Sequence, residues 1–242
     1  MTLIGLTGGY CAGKNTVAEM LERRGWASID VDRLGHRALE IARDEVVERF
    51  DAEARERFGR GLVDADGRLD RKLLGAIVFS DPRKLAEHEA IIHPVMFDLV
   101  DERVAELREK ARPTGGADAG GESRIVINAA ILYKMPIVAE CSATIEVRAP
   151  LLLRLKRARV RDGLGPLRAL DRIRRQAPLW RLRPKGPSAM VAADGGGRSL
   201  LGAPVSLRNA GDAADLEKRL ERLLASIEAG AEGNGRPTAR KH

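Results

Sequence analysis

The stretch Leu3-Ile4-Gly5-Leu6-Thr7-Gly8-Gly9-Tyr10-Cys11-Ala12-Gly13-Lys14-Asn15-Thr16 decides how this chain is read. An apolar run rich in Leu and Ile leads into a glycine-rich turn, then Gly-Lys, then a pattern of helical period. From Gly8 it reads G-x-x-x-x-G-K, with Asn15 and Thr16 where the pattern expects Ser or Thr first. Glycines let the backbone turn tightly and gather successive N–H groups around a polyphosphate. The helix that follows aims its positive N-terminal end at the same anion. Gly9, Cys11, Ala12, Gly13, Lys14, Asn15 and Thr16 are therefore the expected nucleotide-binding residues, with Lys14 reaching the outer phosphates. Asn15 occupies the magnesium-ligand position and offers an amide oxygen in place of a hydroxyl. Backbone donors do the binding in such a loop, so neither the Tyr10 nor the Cys11 side chain needs a role.

The loop predicts a strand before it and a helix after it, with Val17, Met20 and Leu21 at helical spacing until Arg23-Arg24-Gly25. Trp26-Ala27-Ser28-Ile29 reads as a second buried strand running into Asp30-Val31-Asp32. In open parallel sheets ligands bind beyond the carboxyl ends of the strands, which puts Asp30 and Asp32 beside the terminal phosphate. On extended backbone two residues apart, their side chains point the same way. Helix capping by Asp32 is the competing explanation. Asp32 is the candidate general base, and Asp30 a supporting or metal-associated carboxylate.

Residues 33–111 read as helical almost throughout: one segment from Leu34 to Phe50, turns at Phe58-Gly59 and Asp64–Gly67, and another segment from Asp70. A long helix toward Lys110 is expected to be interrupted at His93-Pro94, because proline removes a backbone donor. Pro113 to Glu122 reads as a flexible loop. Ile125-Val126-Ile127, Ala143 to Val147 and Val205-Ser206-Leu207 complete the strands. Asn128 stands where many phosphate-loop proteins carry a magnesium-binding aspartate. Leu151 to Arg161 is a basic helix, with Arg154, Arg157 and Arg161 sharing one face. Arginine's planar fork suits phosphate, and the helix has the position of a closing lid. A solvated basic face is the plainer alternative. His93 could contact substrate or pack beneath the kink. A further helix ends near Gln176, residues 178–204 read as a mobile insert, and Asp212 to Ala229 as the last helix.

With 242 residues the chain suits one α/β domain, and 44% apolar with 3% aromatic residues implies an aliphatic core. A net charge of +7 favours acidic partners, and the motif selects phosphorylated small molecules among them. Two cysteines, Cys11 and Cys141, argue against a structural disulfide and for a reducing cytosol. Neither a signal peptide nor a membrane-length apolar run is seen. A soluble cytoplasmic protein is expected, acting on small molecules without nucleic acid or membrane, and monomeric or a weak homo-oligomer. No Cys/His group has zinc spacing.

Taken together, several motifs resemble dephospho-coenzyme A kinase. They are Leu6-Thr7-Gly8-Gly9-x-x-x-Gly13-Lys14-x-Thr16-Val17, Ile29-Asp30-x-Asp32, Phe58-Gly59, and Asp66-Gly67-x-Leu69-Asp70-Arg71. Ile77-Val78-Phe79-x-Asp81-Pro82, His93-Pro94, Leu155-Lys156-Arg157-x-x-x-Arg161-Asp162, Gln176 and Asn209-x-Gly211 continue it. The resemblance implies a three-layer α/β/α phosphate-loop kinase with a five-stranded parallel sheet, a helical substrate lobe and a helical lid. The expected single domain spans 1–229: core 1–32, 123–150 and 205–229, lobe 33–112, lid and insert 151–204, with a disordered tail at 230–242. The implied reaction moves the ATP γ-phosphate to the ribose 3′-hydroxyl of dephospho-coenzyme A, with ATP and magnesium as cofactors. It implies Asp32, Lys14 and Arg161 as catalytic residues, and Thr7, Asp30, Asp32 and His93 as substrate-binding. Arg157, Asn209 and Gly211 join the loop at the nucleotide, the last two near the adenine.

Three departures stand out. Asn15 replaces the family's serine, and Ala130-Ile131-Leu132-Tyr133-Lys134 replaces P-L-L-x-E, exchanging an acid for a base. Beyond Gln176 the pattern is mostly lost. Two rivals follow: another phosphate-loop kinase, for a nucleoside monophosphate or similar small acceptor, and a non-catalytic ATP-binding regulator.

Overall fold

β1 (Thr2–Gly8) is buried along nearly its whole length, and its Ile4 and Leu6 turn to the sheet face on which α1 (Lys14–Glu22) packs. A computed structural model describes residues 2–111, 123–184, 189–190, 200–201 and 204–233; side chains of 189–190, 200–201 and 229–233 are outside the description. The expected loop at 113–122 lies outside the described residues.

Two compact units divide the chain, one formed by Met1–Asp30 and Glu106–His242, the other by Val31–Ala105. In the first, β1 and α1 are followed by β2 (Ala27–Asp30). The second holds α2 (Val31–Ile41), α3 (Arg43–Phe58), α4 (Arg71–Val78) and most of α5 (Pro82–Lys110). The first unit resumes with β3 (Arg124–Asn128), β4 (Ala143–Arg148), α6 (Leu151–Asp162) and α7 (Pro166–Arg175). A short antiparallel pair, β5 (Ala189–Met190) and β6 (Leu200–Leu201), precedes β7 (Val205–Arg208) and α8 (Ala213–Gly233).

β2, β3, β1, β4 and β7 lie side by side in that order, every pair parallel. The order reverses at β1, the central strand, so the turn after Gly8 opens at the switch point where such sheets bind ligands. One sheet face carries the aliphatic core: Ile4, Leu6, Val126, Ile145, Val147 and Leu207 meet Val17 and Leu21 of α1 and Leu216, Leu220 and Leu224 of α8.

A polar cluster occupies the other face. Glu146 of β4 is fully buried; it accepts from the Tyr133 hydroxyl at 2.6 Å and from Arg148 at 2.6 Å, and Arg183 Nε lies 2.7 Å from it. Burial first, and Glu146 second, drive the Tyr133 hydroxyl well above its ordinary pKa. Tyr133 and Lys134 stand in the segment where the resemblance leads one to expect an acid. The acid that meets Tyr133 is Glu146 of β4.

In the helical unit, Asp70 caps α4 by accepting from Leu73 N at 2.9 Å. Phe50 is fully buried, and ion pairs Arg49–Glu87, Lys84–Glu53 and Arg71–Glu40 tie its helices at the surface.

Three expectations need correction. The segment from Leu34 to Phe50 is two helices, parted at Ala42 (φ −86°, ψ 13°). Pro94 does not interrupt α5: Ile92, Met96, Leu99, Val100 and Val104 are buried on either side of it. Burial of that stripe outweighs a local proline cost of about 3 kcal/mol. The last helix continues to Gly233, so 230–233 belong to it and not to a tail; 234–242 lie outside the described residues. Within 178–204, a 3-10 helix spans Ala177–Leu182 and β5 pairs with β6.

Glu146→Ala should destabilise the protein by about 2 kcal/mol in urea unfolding, because the Tyr133 hydroxyl is left unsatisfied while the partly exposed arginines regain water. Glu146→Leu should cost less than Glu146→Ala, since it refills the volume.

Candidate active site

The loop between β1 and α1 holds two left-handed residues, Cys11 (φ 58°) and Gly13 (φ 97°, ψ 26°). Ala12 N donates to Gly9 O at 2.9 Å, closing a tight turn, and the left-handed Gly13 hands over directly to helical Lys14. Alternation of left- and right-handed backbone is the geometry that turns successive N–H groups toward one anion. The first turn of α1 contains no acid, so its positive end is left for an external negative charge. At Cys11, which is not glycine, the left-handed conformation costs about 1 kcal/mol.

Asn209, just past β7, explains the glycine at 13. Its Nδ2 donates to Ala12 O at 2.9 Å, and a β-carbon on Gly13 would lie 2.1 Å from that nitrogen. Only a residue without a side chain allows this approach. Arg157 of α6 completes the clamp: its Nη2 donates to Asn209 Oδ1 at 3.0 Å, and its Nη1 reaches Ala12 O at 3.3 Å and Cys11 O at 3.5 Å. Arg154 Nε donates to Tyr10 O at 2.7 Å, and its guanidinium lies over Gly9, where a β-carbon would stand 2.7 Å from Nη2. Burial lowers the Arg154 pKa.

Arg161 sits at the end of α6 with its fork on Asp162, Nε to Oδ1 and Nη2 to Oδ2, both 2.9 Å. Those two bonds, then the Tyr10 hydroxyl, bring the Asp162 pKa down to about 2 from an ordinary 3.8. The folded value is depressed. The pairing's contribution is therefore complete above the ordinary carboxylate value and is lost only as pH falls through about 2.

The structure thus brings Gly9, Cys11, Ala12, Gly13, Arg157 and Asn209 into one constellation, with Arg161 docked beside it through Tyr10. Lys14 is buried at the start of α1, whereas Asn15 and Thr16 are exposed on its first turn. Gly211 lies in the turn before α8, where a β-carbon would meet Asp215 Oδ2 at 2.5 Å. Thr7 is buried in β1 with its hydroxyl unpartnered.

Asp30 ends β2 and faces Asn128 across the β2–β3 register. The premise that Asp30 and Asp32 share extended backbone fails: α2 begins at Val31, and Asp32 is an exposed acid in its first turn. Its carboxylate complements the helix dipole there. His93 is half-buried on α5 in the helical unit, stacked on Phe97 with centroids 5.4 Å apart.

Sequence reasoning missed three residues. The loop motif requires no role of the Tyr10 side chain, yet its ring and hydroxyl meet the lid. Asp162 entered only as a neighbour of Arg161. Asn128 is buried at the end of β3; its Nδ2 reaches Asn15 Oδ1 at 3.4 Å, and its own Oδ1 has no hydrogen-bond partner. The signal for Asn128 was its place beyond the strand beside the phosphate loop, which was read only as a missing aspartate.

Among the described residues no group of three His, Cys, Asp or Glu is arranged to hold a metal ion, and no helix is long and apolar enough to cross a membrane. Cys141 is a buried thiol pushed up to about 12, chiefly by burial.

Gly13→Ala should abolish measurable ATP binding in calorimetry while leaving the far-ultraviolet circular dichroism unchanged. A β-carbon there displaces Asn209 and forces a left-handed alanine, but disturbs only the loop.

Known proteins resemble this chain in sequence and in fold. The family model described as dephospho-CoA kinase matches residues 2–183. A Geobacter sulfurreducens dephospho-CoA kinase is 32% identical over 228 residues, covering 93% of this chain and 98% of that protein. An Anaeromyxobacter dehalogenans dephospho-CoA kinase is 32% identical over 230 residues, covering 95% and 94%. A solved Thermus thermophilus structure superposes with a TM-score of 0.66 at 29% identity, covering 93% of this chain and 97% of its own, and shares the three-layer α/β fold. On its matched motifs and its fold, the chain belongs to the dephospho-CoA kinase family.

Proposed function

We propose that this protein phosphorylates the ribose 3′-hydroxyl of dephospho-coenzyme A at the expense of ATP, giving coenzyme A and ADP. The observation that carries the reading is the family match over residues 2–183, a span that contains the phosphate loop, the Asp30-x-Asp32 pair and the lid arginines. It favours this reaction over the two rivals, another small acceptor or a nucleotide-binding regulator.

Phosphoryl transfer asks a protein for positioning and for charge neutralisation. The loop N–H groups and Lys14 hold the triphosphate, with Gly9, Cys11, Ala12, Gly13 and Thr16 forming the cradle. Arg157 and Arg161 bring positive charge from the lid, while Asn209 and Gly211 lie toward the adenine. Thr7, Asp30 and His93 serve the acceptor. Asp32 takes the proton from the 3′-hydroxyl as that oxygen bonds to the γ-phosphorus and the bond to the β–γ bridging oxygen breaks. ADP leaves with the electron pair.

The residues fit magnesium, because the unpartnered Asn128 Oδ1 and the Asn15 amide supply the neutral oxygens that a hard cation accepts. When bound, the ion neutralises charge on the β- and γ-phosphates. Asn15 and Asn128 would hold it, and both amides are uncharged. The bulk of the attraction then comes from the nucleotide itself. A small soluble enzyme, monomeric or a weak homo-oligomer, working on two phosphorylated substrates in the cytoplasm is the setting this implies.

In a coupled assay with ATP, magnesium and dephospho-coenzyme A, Lys14→Ala should lower kcat/KM by about a thousandfold. Asp32→Asn should lower kcat by about a hundredfold or more. Wild-type turnover in Asp32→Asn would remove that residue from the base role. Asn128→Asp and Asn15→Ser should each lower the magnesium concentration for half-maximal rate, since each supplies a ligand of the usual kind.

A further inference from the structure

Tyr10 occupies an unspecified position of the phosphate-loop motif, yet every polar group it owns is bonded to the lid segment. Its backbone N donates to Gln176 Oε1 at 2.6 Å, and its carbonyl accepts from Arg154 Nε at 2.7 Å. Its hydroxyl donates to Asp162 Oδ2 and lies 3.4 Å from Arg172 Nη1. The ring is flanked by two guanidinium groups, Arg161 at 5.2 Å and Arg172 at 5.6 Å from the centroid. It also packs against a small apolar cluster in which Cys11 meets Ala158 of α6 and Ala169 of α7, with Leu155 and Leu164 alongside.

These contacts are arranged around Arg161. A guanidinium on an exposed helix end has many rotamers. Here its fork is fixed on Asp162, Asp162 is fixed by the Tyr10 hydroxyl, and the guanidinium lies over the Tyr10 ring. Such a group is preorganised beside the loop before any nucleotide arrives, which reduces the entropy lost when it binds phosphate. Arg172 lies over the same ring, so Tyr10 contacts both α6 and α7.

We propose that Tyr10 is a positioning residue that latches the α6–α7 lid onto the phosphate loop and holds Arg161 in register with it. The role assigned to Arg161 rests on the proposed kinase reading; the latch does not. Tyr10 acts through Arg161 and Asp162 rather than on the reacting atoms. The prediction is therefore a change in nucleotide affinity and in lid docking, with the acceptor unaffected.

The test compares wild type with Tyr10→Phe, Tyr10→Ala and Asp162→Asn in two measurements. Limited trypsin digestion without nucleotide reads the docking, because Arg159 and Arg168 are exposed on the lid and make no ion pair among the described residues. Cleavage there should be about tenfold faster in Tyr10→Ala and within about threefold of wild type in Tyr10→Phe, which keeps the ring against the arginines. Kinetics should show KM for ATP raised about tenfold in Tyr10→Ala, with KM for dephospho-coenzyme A unchanged. Asp162→Asn should move both readouts in the same direction as Tyr10→Ala, though less far.

Wild-type digestion and wild-type KM for ATP in Tyr10→Ala would overturn the proposal. So would Tyr10→Phe as impaired as Tyr10→Ala, since the ring would then carry nothing. If no acceptor were turned over, the kinase reading would fail, while the digestion would still decide the latch.

Discussion

The contact between Asn209 and the Ala12–Gly13 peptide is the constraint on which the site depends. It joins the loop after the central strand β1 to the end of the edge strand β7, two strands away in the sheet order. It is possible only because residue 13 lacks a β-carbon and accepts a left-handed backbone. Through Asn209 the same contact takes in Arg157, and through Arg157 the lid helix. A loop that would otherwise be a flexible glycine turn becomes a fixed cradle held from two sides, with its amide dipoles oriented before an anion arrives.

Holding three cations around one small loop is costly unless each is partnered. Arg154 and Arg157 spend their donors on backbone carbonyls of the loop itself, and Arg161 is matched by Asp162. Carbonyl partners neutralise hydrogen-bonding capacity but not charge, so the positive potential that draws a triphosphate survives. Asp162 is the exception. It lends its charge to Arg161 and is itself held by Tyr10, so the lid carries its own counter-ion. Glu146 plays the matching part under the sheet, where it offsets Arg148 and Arg183.

Much of this was legible in the sequence, where local pattern and local structure coincide. The phosphate loop, all five parallel strands and the basic helix are local features, and their spacing carries them. Misreadings arose where tertiary burial overrode local preference: Pro94 sits inside a continuous helix because the buried stripe runs through it, and helix α2 starts at Val31 although Asp30-Val31-Asp32 looked extended. Tyr10 was illegible for a different reason. Its partners lie more than 140 residues away, and nothing in a motif written as x-x-x-x marks which of those positions will meet a lid. Asn128 was half legible, its position noticed and its chemistry missed, because an amide on the neighbouring strand end can complement an amide at position 15 only once the strand order is known.

The central claim is that this cradle delivers the γ-phosphoryl group of ATP to one hydroxyl of dephospho-coenzyme A. Phosphorus-31 NMR of the reaction mixture tests it most directly, because a new 3′-phosphomonoester resonance reports both the transfer and its position. The account predicts that this signal grows in step with ADP, one for one, and that it requires magnesium. ADP formed without the new monoester, or a monoester at another position, would contradict it.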